Sequence, residues 1–315
     1  LIEVLTTVGE GILSGVSRVL TFCQQLSFTK FTLGIWDKWE VVLFLTILSA
    51  IGILFEKRKM TMKKGAFGVL AILALLMEVP YHWGTELVMV DVGQGDSILL
   101  LAPGWNQATL IDTGGLSDFK KKEAWRHRKK KDQGITTVVP ALQAEGLSEL
   151  SQVMLSHGDE DHVGNLKTIA KHLNIRQLII GKGMEKIPLM QEMKKRYPII
   201  QWRLVLAGDE WKWNETTWKV LWPKGVSHAE NEDSILALVT VMKQTILLTG
   251  DASEKVEEAV VGANPNLQFS ILKAGHHGSR TSSGEALLTL VQPRLALISC
   301  GKHNHYGHPS PETLA

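Results

Sequence analysis

Residues 156–165 constrain the fold of this chain more than any other stretch. They read Ser-His-Gly-Asp-Glu-Asp-His-Val-Gly-Asn, with two histidines and two central aspartates inside six positions. The apolar run 153–155 precedes them and a helical apolar pattern follows from Leu166. This context predicts a strand, a tight loop and a helix start. Imidazole and carboxylate groups at this density indicate a metal site. A helix-capping turn would account for the aspartates but not for the histidines.

Apolar periodicity changes after residue 85 and predicts strands mixed with helices as far as the C-terminus. We predict strands at 87–90, 97–101, 109–111, 153–155, 177–180, 203–206, 218–222, 235–241, 244–249, 269–273 and 295–299, and helices at 137–147, 162–172, 188–196 and 252–261. Strands and helices at this spacing indicate an α/β protein with layered packing.

The first 83 residues have a different character. Residues 1–36 are mildly amphipathic and predict an interfacial segment, either a surface helix or one lying on a membrane. Two apolar runs, 41–55 and 66–77, flank the basic linker 56–64. Each run alone is shorter than the about 20 residues that span a bilayer, and a buried core helix is the alternative for the second. Together they predict two transmembrane helices over 37–83.

The lysines and arginines of the linker predict its location. Loops rich in these residues stay on the cytoplasmic side of a membrane, so the domain from residue 84 onward is expected on the extracellular side of a multi-pass cell-membrane protein. The chain begins at Leu1 and stops within a predicted helix start at Ala315, and we expect it to be part of a longer protein.

The metal-site motif carries a family resemblance. His-x-Asp-x-Asp-His resembles the His-x-His-x-Asp-His signature of the metallo-β-lactamase superfamily, with Asp159 in place of the second histidine. Further marks of the superfamily follow in the expected order: Asp112 after a strand, Asp251 after the run 245–250, and the pair His276-His277 after 269–273.

Three further sequence motifs indicate one family within the superfamily. Residues 91–97 (Asp-Val-Gly-Gln-Gly-Asp-Ser), 274–279 (Ala-Gly-His-His-Gly-Ser) and 304–309 (Asn-His-Tyr-Gly-His-Pro), together with the upstream apolar runs, resemble the C-terminal part of the ComEC family of bacterial DNA-uptake channel proteins. The resemblance covers roughly residues 37 to 315. It implies an αββα sandwich in a metallo-β-lactamase-like hydrolase domain, 84–315, preceded by a helical membrane segment.

The resemblance also implies two divalent metal ions, Mn²⁺ or Zn²⁺. The implied ligands are His157 and Asp159 for the first ion, Asp161 and His162 for the second, and Asp251 as the bridge between them. Either His276 or His277 is implied as the last ligand of the second ion. An aspartate in place of the second histidine favours Mn²⁺. The superfamily's intermediate histidine is not evident, and Asn231 and Asp233 are candidates for its place.

Candidate catalytic and substrate-binding residues surround these ligands. Asp161 is expected to act in catalysis through its metal, Asp96 to orient a water or a ligand histidine, and His308 to give a proton to the leaving oxygen. A structural turn histidine is the alternative for His308. Candidate phosphate contacts are Ser279, Arg280 and Asn231, with Lys121, Arg126, Arg128 and Lys130 from the basic insert 120–131. A solvated loop is the alternative for this insert.

The function that these features predict is a metal-dependent nuclease on a DNA-uptake channel. It would hydrolyse the non-transported strand during natural transformation, with single- or double-stranded DNA, the membrane, upstream channel helices and other DNA-uptake proteins as partners. The formal net charge is only +2, so DNA binding depends on a local patch. The alternatives are a phosphoesterase for a small or cell-wall substrate and a non-catalytic, DNA-binding channel mouth.

Overall fold

The computed structural model describes residues 84–105, 107–116 and 132–315, together with 14, 17, 18, 21, 34, 35, 38, 41–46, 81 and 82. The chain divides into two compact units, Leu1–Glu78 and Val79–Ala315. In the first unit, residues 41–46 are helical. Most of the predicted interfacial and transmembrane segments, 1–36 and 37–83, lie outside the described residues. Among the residues that are described, no helix has the length and apolar composition needed to cross a bilayer.

The described part of the second unit contains fourteen strands and seven α-helices. The strands are β1 (Tyr81–His82), β2 (Glu86–Met89), β3 (Ile98–Leu101), β4 (Gly104–Trp105), β5 (Ala108–Ile111), β6 (Glu149–Leu155), β7 (Asn174–Gly181), β8 (Gln201–Val205), β9 (Glu210–Trp213), β10 (Thr216–Trp222), β11 (Leu236–Val241), β12 (Gln244–Leu248), β13 (Ile271–Lys273) and β14 (Leu295–Leu297). The helices are α1 (Val139–Ala144), α2 (Glu160–Val163), α3 (Leu166–His172), α4 (Pro188–Arg196), α5 (Glu254–Ala263), α6 (Glu285–Val291) and α7 (Pro311–Leu314). A π-helical turn, Gly134–Val138, leads into α1, and 3₁₀ turns lie at Met184–Lys186, Asn231–Asp233 and Gly275–Gly278.

Two six-stranded sheets form the framework, with β1 and β4 as a separate pair. The first sheet has the order β2-β3-β5-β6-β7-β8, antiparallel as far as β5 and parallel from β5 to β8. The second has the order β9-β10-β11-β12-β13-β14, antiparallel from β9 to β12 and parallel from β12 to β14.

Three buried clusters show how the layers stack. Met154 of the first sheet and Trp218 of the second belong to one apolar cluster between the sheets. The outer face of the first sheet packs against α1 and α4 through residues such as Leu142 and Met190. The outer face of the second sheet packs against α5 and α6, with Val260 fully buried. The order helix, sheet, sheet, helix confirms the predicted αββα sandwich.

The strand order explains why distant residues meet. β5 and β6 are parallel neighbours in the first sheet, and β12 and β13 are parallel neighbours in the second. Parallel strands present their carboxyl ends at the same edge, where α/β proteins place their sites. The segments that follow these four strands contain Asp112, the loop 156–162, Asp251 and the His276-His277 pair.

Element bounds follow the predictions with a few differences. The predicted helix 162–172 is two helices, α2 and α3, because the chain turns at Gly164 and Asn165 between them. The predicted strands 269–273 and 295–299 are shorter, at Ile271–Lys273 and Leu295–Leu297. β9 and α6 were not predicted.

Gly115 allows the turn after β5 to lie directly against the ligand loop. A Cβ on Gly115 would lie 1.8 Å from the Glu160 carbonyl oxygen and 2.9 Å from Gly164 Cα, so the backbone would have to move. We therefore expect Gly115→Ala to lower the free energy of unfolding by about 3 kcal/mol, measured by urea denaturation. Gly225→Ala is the matched control, because a Cβ there meets nothing within 4 Å. Equal stabilities of the two variants would contradict this packing.

Candidate metal centre

Asp112 anchors the ligand loop. It follows β5, is 1% exposed and has a positive φ of 55°. Its Oδ1 accepts a hydrogen bond from the Ser156 backbone N–H at 2.7 Å, and its Oδ2 accepts one from Ser156 Oγ at 2.7 Å. The Oδ2 atom also lies 2.9 Å from His162 Nδ1. A buried carboxylate with these three partners fixes both the start of the loop and the orientation of the His162 ring.

Three buried imidazoles share the same arrangement of their two nitrogens. The Nδ1 atoms of His157, His162 and His277 each have an oxygen partner: Ser156 Oγ at 3.0 Å, Asp112 Oδ2 at 2.9 Å and the Ser299 carbonyl at 3.0 Å. The Nε2 atoms of all three are buried without a hydrogen-bond partner. We assign the proton to Nδ1 in each ring, since metal-binding histidines donate one ring N–H to an oxygen and present the other nitrogen to the ion.

Asp251 is the carboxylate on which the Nε2 atoms of His162 and His277 converge. Its Oδ2 lies 3.3 Å from His162 Nε2, 3.2 Å from His277 Nε2 and 3.8 Å from His276 Nε2. The Asp251 backbone N–H donates to Ser234 Oγ at 3.1 Å, which holds the residue in place. Ser234 is fully buried. Ser234 was not predicted as a site residue, although it directly follows the predicted candidates Asn231 and Asp233.

The remaining acidic ligands lie closer to solvent. Asp161 Oδ2 is 3.5 Å from His277 Nε2, and the Asp161 side chain is 17% exposed. Asp159 Oδ2 is 3.8 Å from His157 Nε2, with its side chain 56% exposed. The structure therefore brings together the expected pair His157 and Asp159, and it places Asp161 beside His277.

This donor set fits a divalent cation. One ligand atom from each of Asp96, His162, Asp251 and His277 lies within 4.8 Å of the other three, and all four residues are buried. Imidazole nitrogens and carboxylate oxygens are the ligands that Zn²⁺ and Mn²⁺ take in proteins. Buried Nε2 atoms without a hydrogen-bond partner are costly unless they bind something. The residues present thus suit divalent metal binding, as the resemblance implies.

The electrostatics of the centre are set by burial and by close opposite charges. Burial raises the pKa of Asp251, but His162 and His277 outweigh it and hold the pKa well below its usual range. Burial lowers the pKa of His277, but the carboxylates of Asp161, Asp251 and Asp96, each within 3.5 Å of a ring nitrogen, raise it to about 11. Burial and the neighbouring His162 lower the pKa of His157 to about 3. In the metal-free protein, protons on His277 balance the carboxylates, and an incoming cation has to displace them.

Asp96 lies behind the imidazoles. Its Oδ1 is 3.4 Å from His277 Nδ1, and its Oδ2 is 3.9 Å from His162 Nδ1. Oδ2 also forms an ion pair with Lys273 Nζ. Burial raises the pKa of Asp96, but Lys273 and His277 lower it well below its usual range. Of the two expected roles, this placement favours orienting ligand histidines over orienting a water.

Lys273 was not predicted as a site residue. It ends β13 at 1% exposure, and its Nζ donates to the Gly250 carbonyl at 3.1 Å. Burial lowers the pKa of Lys273, but Asp96 and Asp251 outweigh it and raise the pKa above its ordinary value. The available signal was a single lysine that ends an apolar strand just before the histidine pair.

The two histidines of the His-His pair have different environments. Both have positive φ, 45° for His276 and 58° for His277. The His277 side chain is 2% exposed, with its Nδ1 hydrogen-bonded and its Nε2 facing Asp251, whereas that of His276 is 35% exposed. The His276 ring meets the His308 ring edge-on, with 5.8 Å between centroids. His277 is the better-enclosed ligand candidate of the pair.

His308 lies at the open side of the centre. Its ring stacks on Tyr306 at 5.5 Å, and its Nδ1 is buried without a hydrogen-bond partner. Asn304 holds this loop, because its Oδ1 accepts the His308 backbone N–H at 3.0 Å and its Nδ2 donates to the His308 carbonyl. Burial and the neighbouring His276 lower the pKa of His308. The neutral form therefore predominates at pH 7 and favours accepting a proton over the expected donation.

The other predicted substrate contacts differ in how they are placed. Ser279 is 7% exposed, with its Oγ 3.0 Å from Thr281 Oγ1, and Arg280 is exposed. Asn231 begins the 3₁₀ turn before β11, and its carbonyl accepts the Ser234 backbone N–H at 3.0 Å. The basic-insert residues Lys121, Arg126, Arg128 and Lys130 lie outside the described residues.

Glu257 supports the loop that follows the His-His pair. It is 1% exposed and accepts the backbone N–H groups of Ser283 at 2.9 Å and Gly284 at 2.8 Å. Burial raises its pKa from 4.5 to about 7, against the effect of these two hydrogen bonds. The folded state therefore binds this proton more tightly than the unfolded state does. The protonated Glu257 side chain therefore contributes fully to the free energy of unfolding below pH 4.5, and this contribution is lost as the pH rises towards 7.

We therefore expect Glu257→Gln to gain stability relative to the wild type as the pH rises. Between pH 4.5 and 8, the difference in unfolding free energy should shift by roughly 3 kcal/mol in favour of the variant. Urea denaturation of both proteins at pH 4.5, 6 and 8 measures this shift. A difference that stays constant with pH would contradict the assignment, and Glu258→Gln on the exposed face of α5 is the control.

Comparison with known proteins agrees with this geometry. Residues 90–303 match the model of the metallo-beta-lactamase superfamily. The matched range includes the ligand loop, Asp112, Asp251 and the His-His pair. The chain belongs to the metallo-β-lactamase superfamily.

Curated relatives narrow the assignment. The chain is 31% identical to ComE operon protein 3 of Bacillus subtilis over 313 residues, 96% of the chain and 40% of that protein. It is 30% identical to Recombination protein 2 of Haemophilus influenzae, over 81% of the chain and 29% of that protein. It is 31% identical to Competence protein ComA of Neisseria gonorrhoeae, over 70% of the chain and 28% of that protein. These homologues confirm the predicted membership of the ComEC family of competence proteins, and the chain spans less than half the length of each.

Proposed function

We propose that this chain is the metal-dependent nuclease part of a DNA-uptake system, and that it hydrolyses phosphodiester bonds of the strand that is not transported. The observation that carries the proposal is the convergence of two buried Nε2 atoms, those of His162 and His277, on the carboxylate of Asp251, while the Nδ1 atom of each ring is engaged by an oxygen. The superfamily indicates a metal-dependent hydrolase. The names of the competence relatives support DNA as the substrate.

The described residues would have different roles in such a reaction. His157, His162, His277, Asp161 and Asp251 would hold the metal. A divalent ion bound there supplies hydroxide at neutral pH and stabilises charge on the phosphoryl oxygens. Asp159, at the solvent side, is available to a second ion. In this proposal the ions are Mn²⁺ or Zn²⁺, and the two sites differ in how far they are buried.

The protein's other groups would orient ligands and handle protons. Asp112 and Asp96 face the Nδ1 sides of His162 and His277 and keep their Nε2 atoms directed at the metal. His308, neutral at pH 7, is available to accept a proton from an attacking water. Ser279 and Arg280 directly follow the His-His-Gly turn and are our candidates for contacts with a phosphate.

The membrane context is also part of the proposal. The basic linker 56–64 between two apolar runs supports a multi-pass protein with its hydrolase domain on the extracellular side. A nuclease there would meet incoming DNA before transport. The basic insert 120–131 supports contact with the phosphate backbone.

The test uses the 315-residue chain in detergent with end-labelled single- and double-stranded DNA. Each substrate is incubated with Mn²⁺, with Zn²⁺ and with EDTA, beside the small substrate bis(p-nitrophenyl) phosphate. We expect metal-dependent DNA cleavage that Asp161→Ala removes and the surface variant Asp209→Ala retains. Hydrolysis of the small phosphodiester alone would favour a small-substrate phosphoesterase. DNA binding without any hydrolysis would favour the non-catalytic channel mouth, and either result would overturn the nuclease proposal.

A further inference from the structure

Lys273 is a fully buried cation next to the metal-ligand cluster. Both Lys273 and its ion-pair partner Asp96 are 1% exposed, so water does not solvate either charge. An isolated ammonium group at such a position would cost several kcal/mol of folding free energy. Pairing with Asp96 Oδ2 and donation to the Gly250 carbonyl at 3.1 Å offset this cost. Retaining a buried charge here indicates a role for the charge itself.

The lysine contacts the outer sides of two carboxylates. Asp251 directs Oδ2 at the Nε2 atoms of His162 and His277, while its Oδ1 lies 3.9 Å from Lys273 Nζ. Asp96 directs Oδ1 at His277 Nδ1 and Oδ2 at Lys273. Lys273 thus lies beside Asp251 Oδ1 and Asp96 Oδ2, and not beside Asp251 Oδ2, the oxygen that faces the Nε2 atoms. As an ammonium group it has no lone pair to ligate a metal.

The backbone of Lys273 also contacts the residues that precede Asp251. Its carbonyl accepts a hydrogen bond from Thr249 Oγ1 at 2.7 Å, and its ammonium group binds the carbonyl of Gly250. Residues 249 and 250 lead directly into Asp251. One residue therefore fixes the approach to Asp251 through its main chain and balances the charge of that carboxylate through its side chain.

We infer that Lys273 is a built-in cation that keeps the metal centre assembled when no divalent ion is bound. Asp96, Asp112 and Asp251 are all buried, and each has an oxygen within 4 Å of a His162 nitrogen. Like charges in a low-dielectric interior repel strongly. The fixed positive charge of Lys273 offsets part of this repulsion, so that an ion enters ligands already in place. Lys273 is a positioning residue. The inference rests on the metal centre and holds for DNA and for any other substrate.

Two other roles for Lys273 give different expectations. A purely structural ion pair would stabilise the fold equally with and without a divalent ion. A cation that only repels the incoming ion would leave the stability of the metal-free protein unchanged when it is removed, while ion binding became tighter. The inferred role predicts that removal lowers stability most in the absence of the ion, and by linkage the folded variant then binds the ion more tightly than the wild type.

The experiment compares wild type with Lys273→Met, which keeps the length of the side chain and removes its charge. Thermal unfolding is followed at pH 7.5 in EDTA and in saturating Mn²⁺, and the Mn²⁺ affinity is measured by calorimetry. Lys219→Met is the control, since Lys219 pairs with Glu210 at 2.9 Å on the surface. In EDTA we expect Lys273→Met to lose ~5 °C or more in Tm. Saturating Mn²⁺ should restore most of this loss, and because stability and binding are linked, the folded variant should bind Mn²⁺ more tightly than the wild type does.

Equal Tm losses with and without Mn²⁺ would overturn the inference, as would an unchanged Tm in EDTA. If Lys273→Met does not fold in EDTA, recovery of the fold on adding Mn²⁺ supports the inference. If it does not fold under either condition, the double variant Asp96→Asn with Lys273→Met removes both buried charges together. A larger Mn²⁺-induced rise in Tm than in wild type would then support the inference, and an unchanged rise would overturn it. Because every readout is metal binding or folding, a failed DNase assay leaves this test intact.

Discussion

Replacing Asp251 with asparagine should lower the affinity of the protein for Mn²⁺ by more than ~100-fold. This is a larger effect than usually follows the loss of a residue that only hydrogen-bonds to a metal ligand. Asp251 Oδ2 lies within 3.8 Å of three imidazole Nε2 atoms, those of His162, His276 and His277. No other carboxylate oxygen in the described residues has as many close imidazole nitrogens. An amide in its place provides no negative charge for a cation, and its NH₂ group repels one. Calorimetric titration and the metal content after dialysis measure the loss.

The matched control for Asp251→Asn is Glu258→Gln, the same chemical change on the exposed face of α5. It should retain the wild-type metal content. Thermal unfolding in EDTA shows whether the variant remains folded, which separates loss of a ligand from loss of the domain. A folded Asp251→Asn protein with wild-type metal content would show that the ion binds elsewhere.

Replacing Asp112 with asparagine should affect both stability and metal binding. Its two oxygens accept from the Ser156 backbone N–H, from Ser156 Oγ and from His162 Nδ1. Asparagine has one acceptor oxygen, and its NH₂ group would face a donor. Hydrogen bonds to a charged group contribute about 1.5–3 kcal/mol each, so we expect the unfolding free energy to fall by about 3 kcal/mol or more. Without its acceptor, His162 loses the tautomer that frees Nε2, and Mn²⁺ affinity should fall roughly 10- to 100-fold.

Urea denaturation in EDTA and Mn²⁺ calorimetry test the two parts separately. Asp209→Asn serves as the control, since the Asp209 carboxylate accepts one backbone N–H, that of Leu206 at 2.8 Å, in an exposed turn. We expect it to change stability by less than about 1 kcal/mol and metal affinity not at all. If Asp112→Asn lowers stability but leaves Mn²⁺ affinity unchanged, Asp112 anchors the loop without orienting His162.

The C-terminal segment links the turn that contains Asp96 to the end of the second sheet. Ser299 Oγ donates to the Gly95 carbonyl at 2.7 Å, and the Gly301 backbone N–H donates to Gln94 Oε1 at 3.3 Å. The Ser299 carbonyl, in turn, receives the Nδ1 proton of His277. The motif 91–97 therefore meets residues 299–301 beside the metal centre, and Asn304 of the motif 304–309 donates from Nδ2 to the Gly301 carbonyl.

The local chemistry of the ligand loop could be predicted from the sequence. Six residues between an apolar strand and a helix contain His157, Asp159, Asp161 and His162, and their short spacing forces these groups together in any fold. The alternation of strands and helices likewise predicted layered α/β packing, because burial periodicity is a property of each element by itself. Family resemblance added Asp112, Asp251 and the His-His pair.

Only the tertiary structure decided which side chains contact the candidate metal ligands from behind. Lys273 ends a strand of the second sheet and Asp96 precedes a strand of the first, so their ion pair exists because the two sheets pack face to face. Ser234 contacts Asp251, and Ser299 contacts His277, because β11 neighbours β12 and β13 neighbours β14 within the second sheet. Apolar periodicity determines which face of a strand is buried, but it does not determine which strand becomes its neighbour. Contacts across the sandwich depend on that order, and they place a lysine where the sequence alone shows only the end of an apolar strand.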